Sequence, residues 1–164
     1  MNKNLVALLV SSLALAACDR RLSAPPPVAA PVAPAPGPRL SLSERLDEER
    51  ITRPAAHPPV EAVAAALAGK GVPLERWKQV LGSPIGARYC MAGQTGQGNV
   101  VAVCEFADDA QAERGIAYSR QTFDRLIPNR TLLRRAATVM TVTRPDASAG
   151  SDEARTISAI FAAL

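Results

Sequence analysis

The chain has few of the residues on which active sites and metal centres usually depend. Its 164 residues include one histidine, three cysteines and 4% aromatic residues. The histidine, His57, lies among prolines, where nothing holds the geometry that a general base or a metal ligand requires. We therefore expect His57 to be solvated. No serine has the context of a nucleophile elbow and no pair of carboxylates has supporting neighbours, so the sequence predicts no catalytic residue, metal site or cofactor.

The shortage of aromatic residues and of excess charge narrows the class of protein further. With few aromatic side chains, the core must be built from Val, Leu, Ile and Ala, which limits the stability of a small domain. The formal net charge of +4 is too small to indicate nucleic acid as a partner. Only three of the 19 basic residues are lysines. Together with the many alanines and prolines, this use of arginine is typical of a GC-rich genome.

The apolar run near the N-terminus, residues 5–14, is too short to cross a bilayer, which takes about 20 residues. It follows the positively charged Lys3 and leads into small residues, as in a secretory signal. The segment ends in Leu15-Ala16-Ala17-Cys18, which resembles the lipobox of bacterial lipoproteins. An ordinary signal peptide with a cysteine close to its cleavage site is the alternative interpretation.

The resemblance to bacterial lipoproteins implies a defined N-terminus and location. In that family the cysteine is lipidated, so Cys18 is the expected lipidation site and residues 1–17 are the expected cleaved signal peptide. Several acyl chains anchor a protein stably to a membrane. Asp19 resembles the inner-membrane retention signal of enteric lipoproteins. We therefore expect the protein on the periplasmic side of the bacterial cell envelope, at the inner membrane in preference to the outer membrane.

A lipidated N-terminus and a flexible tether are expected over residues 18–58. Residues 24–38 consist of proline, alanine and valine with one glycine, a composition that favours extended polyproline II over helix or sheet. We interpret this stretch as a spacer; the alternative is a proline-rich ligand for a partner groove. Within residues 40–53, Ser41 and Glu44 fit a capping box, which predicts a short helix that is exposed to solvent.

The remaining residues, 59–164, are expected to form one α+β domain, a small two-layer sandwich that is ferredoxin-like in part. Glycine, proline and apolar periodicity predict its elements in the order α-α-β-β-α-β-α. These are helices at 60–68 and 72–81, strands at 86–95 and 99–106, a helix at 110–126, a strand at 131–143 and a helix at 152–163.

Cys90 and Cys104 are the two thiols that remain once Cys18 is acylated. If the hairpin that joins the two strands turns around Gln97, the two cysteines lie directly opposite each other. Export places them in an oxidising compartment, so we predict a disulfide, which would contribute roughly 3 kcal/mol by closing a loop of this length. A redox or metal role is the alternative, but the spacing is not Cys-x-x-Cys and no histidine accompanies the pair.

Two further patterns suggest anion binding. Residues 93–98 are glycine-rich but lack the lysine and the following helix of a phosphate-binding loop, so we interpret them as a hairpin turn. Four arginines near the start of the third predicted strand are a candidate anion patch, but we favour the interpretation that they form a solvated sheet edge. They are Arg125, Arg130, Arg134 and Arg135.

The sequence thus predicts a membrane-anchored envelope lipoprotein whose small domain is a non-catalytic binding module. Its expected partners are the membrane, through the acyl chains, and an envelope protein or polymer. A small envelope enzyme, either a hydrolase or a thiol redox factor, is the alternative. An apolar exposed sheet face would favour the binding module.

Overall fold

The structure, a computed structural model, describes residues 40–147 and 150–164. The expected signal peptide, Cys18 and the tether at 24–38 lie outside the described residues. The helices are α1 (Leu42–Ile51), α2 (Val60–Gly69), α3 (Asp109–Phe123) and α4 (Ser151–Ala163), with a 3₁₀ turn at Ser83–Ile85. The strands are β1 (Glu75–Val80), β2 (Tyr89–Gln94), β3 (Val100–Glu105), β4 (Arg130–Arg135) and β5 (Thr138–Thr143).

The strands form one antiparallel sheet in the order β1-β2-β3-β5-β4, which confirms the α+β class. Because β3 and β4 are each antiparallel to β5, they run parallel to each other and are linked through α3. This split β-α-β unit is the part of the sheet that corresponds to the ferredoxin-like expectation. The β1-β2-β3 meander extends the sheet on the other side.

Helices α2 and α4 pack on one face of the sheet and form the main two-layer core. The alternation of side chains is clear on β3, where Val101 and Val103 are fully buried and Val100 is 43% exposed. The other face carries a smaller cluster in which α3 packs against Cys90, Cys104 and Val139 at one end of the sheet. Among the described residues, no helix is long and apolar enough to cross a membrane.

The helix predicted at 72–81 is wrong, because this segment contains β1. Gln79 pairs with Met91 and Val80 with Cys90 on the neighbouring strand. The Pro73 and Gly82 signals fit a helix, but sheet pairing and the packing of Trp77 against the main core override this local preference. A bulge between Glu75 and Lys78 displaces the register and obscures the alternation.

The single strand predicted at 131–143 is also wrong, because the segment forms the hairpin β4-β5. The chain turns at Ala136, which has a φ of 45°. A two-residue hairpin turn usually contains asparagine, aspartate or glycine. The turn here contains two alanines, so the sequence did not indicate it. The observed order is therefore α-α-β-β-β-α-β-β-α.

Helix α1 has the predicted capping box between Ser41 and Glu44 and is largely exposed to solvent, as predicted, but one of its residues is buried against the domain. Its Glu49 is 8% exposed and accepts hydrogen bonds from the amides of Gly82 and Ser83, both at 2.9 Å. The apolar Ile51 is 77% exposed. The helix docks through polar groups, so no apolar stripe predicted the contact, and the folded unit begins before residue 59.

The hairpin β2-β3 has the predicted register. Cys90 lies directly opposite Cys104 and is joined to it by a disulfide, with the Cα atoms 4.1 Å apart. The Thr95 amide donates to the Asn99 carbonyl. By alternation, this places the cysteines at a non-hydrogen-bonded pair, where opposed strands approach most closely. His57 is exposed, as expected.

Close packing of α3 predicts a specific effect at Gly115. A Cβ atom there would clash with the Phe106 ring and lie 2.9 Å from the Ile85 carbonyl oxygen. We expect Gly115→Ala to lower the free energy of unfolding, measured by urea denaturation, by roughly 1–3 kcal/mol. Gly69→Ala is the matched control, because a Cβ at Gly69 has no neighbour within 4 Å. Equal stability of the two variants would contradict the packing described for α3.

Candidate functional site

The structure does not bring the four predicted arginines together as an anion patch. Arg130 is largely withdrawn from solvent, with a side chain 6% exposed. Its guanidinium donates to the Asp124 carboxylate at 2.7 Å and to the Ser119 hydroxyl at 2.9 Å, and lies over the Phe123 ring. Arg130 therefore fastens the end of α3 to β4.

The remaining three arginines point to different places. Arg134 forms ion pairs with Asp109 at 3.5 Å and Glu113 at 3.0 Å on α3. Arg135 donates to the Ala162 carbonyl near the end of α4. Arg125 is exposed. Since three of the four predicted residues are occupied in holding helices to the sheet, they do not act together as a receptor for an anion.

A different pair of arginines lines a groove of about 490 Å³ between α4 and the edge of the sheet. We call it the α4–β4 groove. Its lining surface is more apolar than polar, and the described residues that line it include two arginines and no carboxylate. The lining residues are Thr131, Arg144, Ser151, Ala154, Arg155 and Ser158.

Helical spacing and the β4-β5 ladder bring these groups to one place. Ser151, Arg155 and Ser158 recur at intervals of four and three residues, so they share one side of α4. Arg144 directly follows β5, and its amide donates to the Asn129 carbonyl at 3.0 Å, which extends the ladder by one pair. The sequence missed this site because it depends on the packing of α4 beside β4.

The groove presents positive charge that can accept an external anion. Arg155 pairs with Asp152 on the surface, where the two side chains are 75% and 87% exposed, and such a pair stabilises little. The Ala147 carbonyl takes one donor of Arg144, out of the five N–H groups of a guanidinium. Two guanidiniums beside hydroxyl groups are suited to a carboxylate or a phosphate.

The start of α4 is held beside the groove by a buried polar cluster. The fully buried Asn99 side chain donates to the Glu153 carboxylate at 2.6 Å and to the Gly150 carbonyl at 3.2 Å. The Thr95 hydroxyl also donates to Glu153. A Cβ atom at Gly150 would lie 2.7 Å from the Asn99 amide, so only glycine permits this approach at its φ of 66°.

A second charged cluster surrounds the fully buried Glu105. It lies on the sheet face that carries α2 and α4. The Glu105 carboxylate accepts two hydrogen bonds of 2.6 Å from Arg53 and one of 2.8 Å from the Val60 amide. Arg53 also donates to Glu61 and lies 4.5 Å from the centre of the Tyr89 ring. Every group in this cluster has a partner within the domain.

The pKa values in this cluster reflect the pairing. Hydrogen bonds to Glu105 and then to Glu61 raise the pKa of the Arg53 guanidinium above its usual value. The hydrogen bond from Arg53 lowers the pKa of Glu61, so the stability from this pair is present above the ordinary pKa of a glutamate and is lost as the pH falls. Burial raises the pKa of Tyr89. The cluster is a structural anchor for the segment before α2.

Cysteine thiols and clusters of metal-binding side chains are two further kinds of candidate site. Cys90 and Cys104 are joined in the disulfide, so neither presents a thiol. Within residues 40–147 and 150–164, no group of three or more His, Cys, Asp or Glu side chains could hold a metal ion. The α4–β4 groove is therefore the candidate functional site.

We expect Arg53→Gln to lower the free energy of unfolding by about 3–5 kcal/mol, because it leaves the buried Glu105 carboxylate without its counter-charge. Urea denaturation at neutral pH measures the effect. Arg50→Gln is the control, since Arg50 forms an exposed pair with Asp47. The double variant Arg53→Gln/Glu105→Gln should recover part of the loss. If Arg53→Gln lowers the free energy of unfolding no more than Arg50→Gln does, the buried charge pair does not hold this segment.

Comparison with protein-family models, curated proteins and solved structures gave no match to this chain.

Proposed function

We propose that the chain is a lipid-anchored envelope protein whose domain binds an anionic group of an envelope protein or polymer in the α4–β4 groove. The observation that carries the proposal is that Arg144 and Arg155 line one groove in which no described lining residue is a carboxylate. Charge-assisted hydrogen bonds from guanidinium groups are among the stronger polar contacts. The groove is open and accessible to a partner.

The groove supports recognition better than it supports catalysis. A guanidinium remains charged at any physiological pH and cannot serve as a general base. The hydroxyls of Ser151 and Ser158 would need an adjacent base to become nucleophiles, and none of the lining residues that the structure describes is a histidine or a carboxylate. A thiol redox factor would need a sulfur atom that a thiolate can reach, whereas the disulfide joins two buried residues, Cys90 at 1% and Cys104 at 8% exposure.

The position of the groove favours a ligand on a periplasmic partner and not a headgroup of the anchoring membrane. Helix α1 docks beside β1 through Gln79, whose side chain donates to the Leu46 carbonyl at 2.7 Å. The groove lies beside β4, at the opposite edge of the sheet. Four strand spacings of about 4.8 Å separate these edges, or roughly 19 Å. A tether that enters through α1 therefore leaves the groove on the far side of the domain.

We expect Arg144→Gln and Arg155→Gln each to weaken binding of poly(glutamate) roughly tenfold or more, because each removes a charge-assisted contact. Isothermal titration calorimetry at low salt measures the affinity. Arg125→Gln is the matched control, since it removes the same charge from an exposed position outside the groove. An equal loss in the control would show that only diffuse charge attracts the polymer. Tighter binding of anionic lipid vesicles would favour a headgroup ligand.

The lipid anchor is tested at Cys18. We expect Cys18→Ser to abolish labelling by a radioactive fatty acid and to prevent stable membrane anchoring, because no thiol remains for acylation. Asp19→Ser should keep the label and shift the protein towards the outer membrane. Labelling and membrane fractionation in a bacterial host measure both outcomes. A label that persists in Cys18→Ser would contradict the lipoprotein assignment.

A further inference from the structure

The outer edge of β4 presents a regular row of backbone groups that no described residue binds. Arg144 donates its amide to the carbonyl of the directly opposite Asn129, so these residues form a hydrogen-bonded pair. In an antiparallel ladder such pairs alternate with non-bonded ones. The amides and carbonyls of Thr131, Leu133 and Arg135 therefore point to β5. Those of Arg130, Leu132 and Arg134 point outward.

Within the part of the chain that the structure describes, the β4 edge has neither a bulge nor a covering helix. Its pairing with β5 is continuous over six residues, whereas β1 at the other edge is interrupted by a bulge and is adjoined by α1. Charged side chains often guard an edge. Here, however, Arg130 and Arg134 turn onto carboxylates of α3. The outward backbone groups are left accessible to an extended chain.

We propose that an acidic, extended segment of a partner protein adds as a strand to the outer edge of β4 and places a carboxylate in the α4–β4 groove. This inference rests on the proposed function, since the groove supplies the charge that recognises the acidic side chain. The backbone of the added segment pairs with Arg130, Leu132 and Arg134. Strand addition of this kind takes affinity from backbone hydrogen bonds and specificity from alternate side chains.

The geometry joins the two parts of the site. Thr131 belongs to β4 and also lines the groove, and its side chain lies on the sheet face that carries α4. A strand added to β4 would lie about 4.8 Å beyond it, with every second side chain on that same face. A glutamate or aspartate at such a position is directed towards Arg144 and Arg155.

The chemistry of the edge favours a polypeptide over a glycan or a lipid headgroup. The outward row offers amide donors and carbonyl acceptors in alternation, which matches another peptide backbone. An anionic headgroup would use only the arginines. A second copy of this chain and the N-terminal segment that precedes residue 40 are the other candidate strands, and the experiment below separates them.

The test is amide hydrogen exchange on the full chain in detergent, with a synthetic peptide of alternating glutamate and threonine as the probe. We expect the amides of Arg130, Leu132 and Arg134 to exchange rapidly in the free protein and at least about tenfold more slowly with the peptide. The inward amides of Thr131 and Leu133 should be protected in both states. A peptide with N-methyl groups on alternate residues should bind much more weakly.

Two substitutions at one position sharpen the test. Leu132→Pro removes an outward amide that does not bond to β5, so the ladder is retained, and peptide binding should fall at least about tenfold. Leu132→Ala removes most of the side chain, keeps the amide and should retain binding. Circular dichroism checks that both variants fold. Equal peptide affinity for Leu132→Pro and Leu132→Ala would overturn strand addition.

The outcomes distinguish the two proposals. If the peptide binds, Arg144→Gln weakens it and the outward amides stay unprotected, strand addition is wrong and the anion-binding groove stands. If Arg144→Gln has no more effect than Arg125→Gln, the groove itself is wrong. Protection of the outward amides without peptide would also overturn the inference. Protection that rises with protein concentration would indicate a second copy, and protection independent of concentration would indicate the chain's own N-terminal segment.

Discussion

The buried carboxylate of Glu105 is the constraint on which the arrangement of the domain depends. A charge without solvent contact destabilises a fold by several kcal/mol unless it is paired and hydrogen-bonded. Arg53 and the Val60 amide supply those bonds; Arg53 lies in the connection between α1 and α2, and Val60 is the first residue of α2. If that connection left the sheet, the Glu105 carboxylate would lose its hydrogen bonds and its counter-charge, and the fold would be destabilised. The segment that enters the domain is therefore fixed to β3, the central strand.

The fixed entry point determines what the domain can present to its surroundings. Helix α1 lies beside β1, where the Glu49 carboxylate accepts the amides of Gly82 and Ser83. The β1 edge is thereby adjoined by the protein's own N-terminal helix, and a bulge interrupts its register. The β4 edge has neither feature. This asymmetry makes the β4 edge the one to which the proposed partner segment would add.

The sequence predicted those parts of the fold that depend on local or nearly local rules. The capping box at Ser41, the helices α2, α3 and α4, and the opposition of Cys90 and Cys104 follow from spacing over a few residues. It failed where tertiary contacts decide. β1 carries helix-like signals, and the β4-β5 turn at Ala136 has no turn residue. The docking of α1 depends on Glu49, a residue that no apolar pattern singles out.

The arginines show why the candidate site could not be predicted from the sequence. Composition makes this residue type abundant, and only the neighbours decide its role. Arg130 and Arg134 meet carboxylates of α3 and hold a helix, although their position near a predicted strand suggested a shared anion patch. Arg144 and Arg155 are 11 residues apart in the chain, and they share a groove only because α4 packs beside β4. Since the same packing leaves the outer backbone of β4 uncovered, the charge and the open edge are consequences of one arrangement, and a ligand that uses one lies within reach of the other.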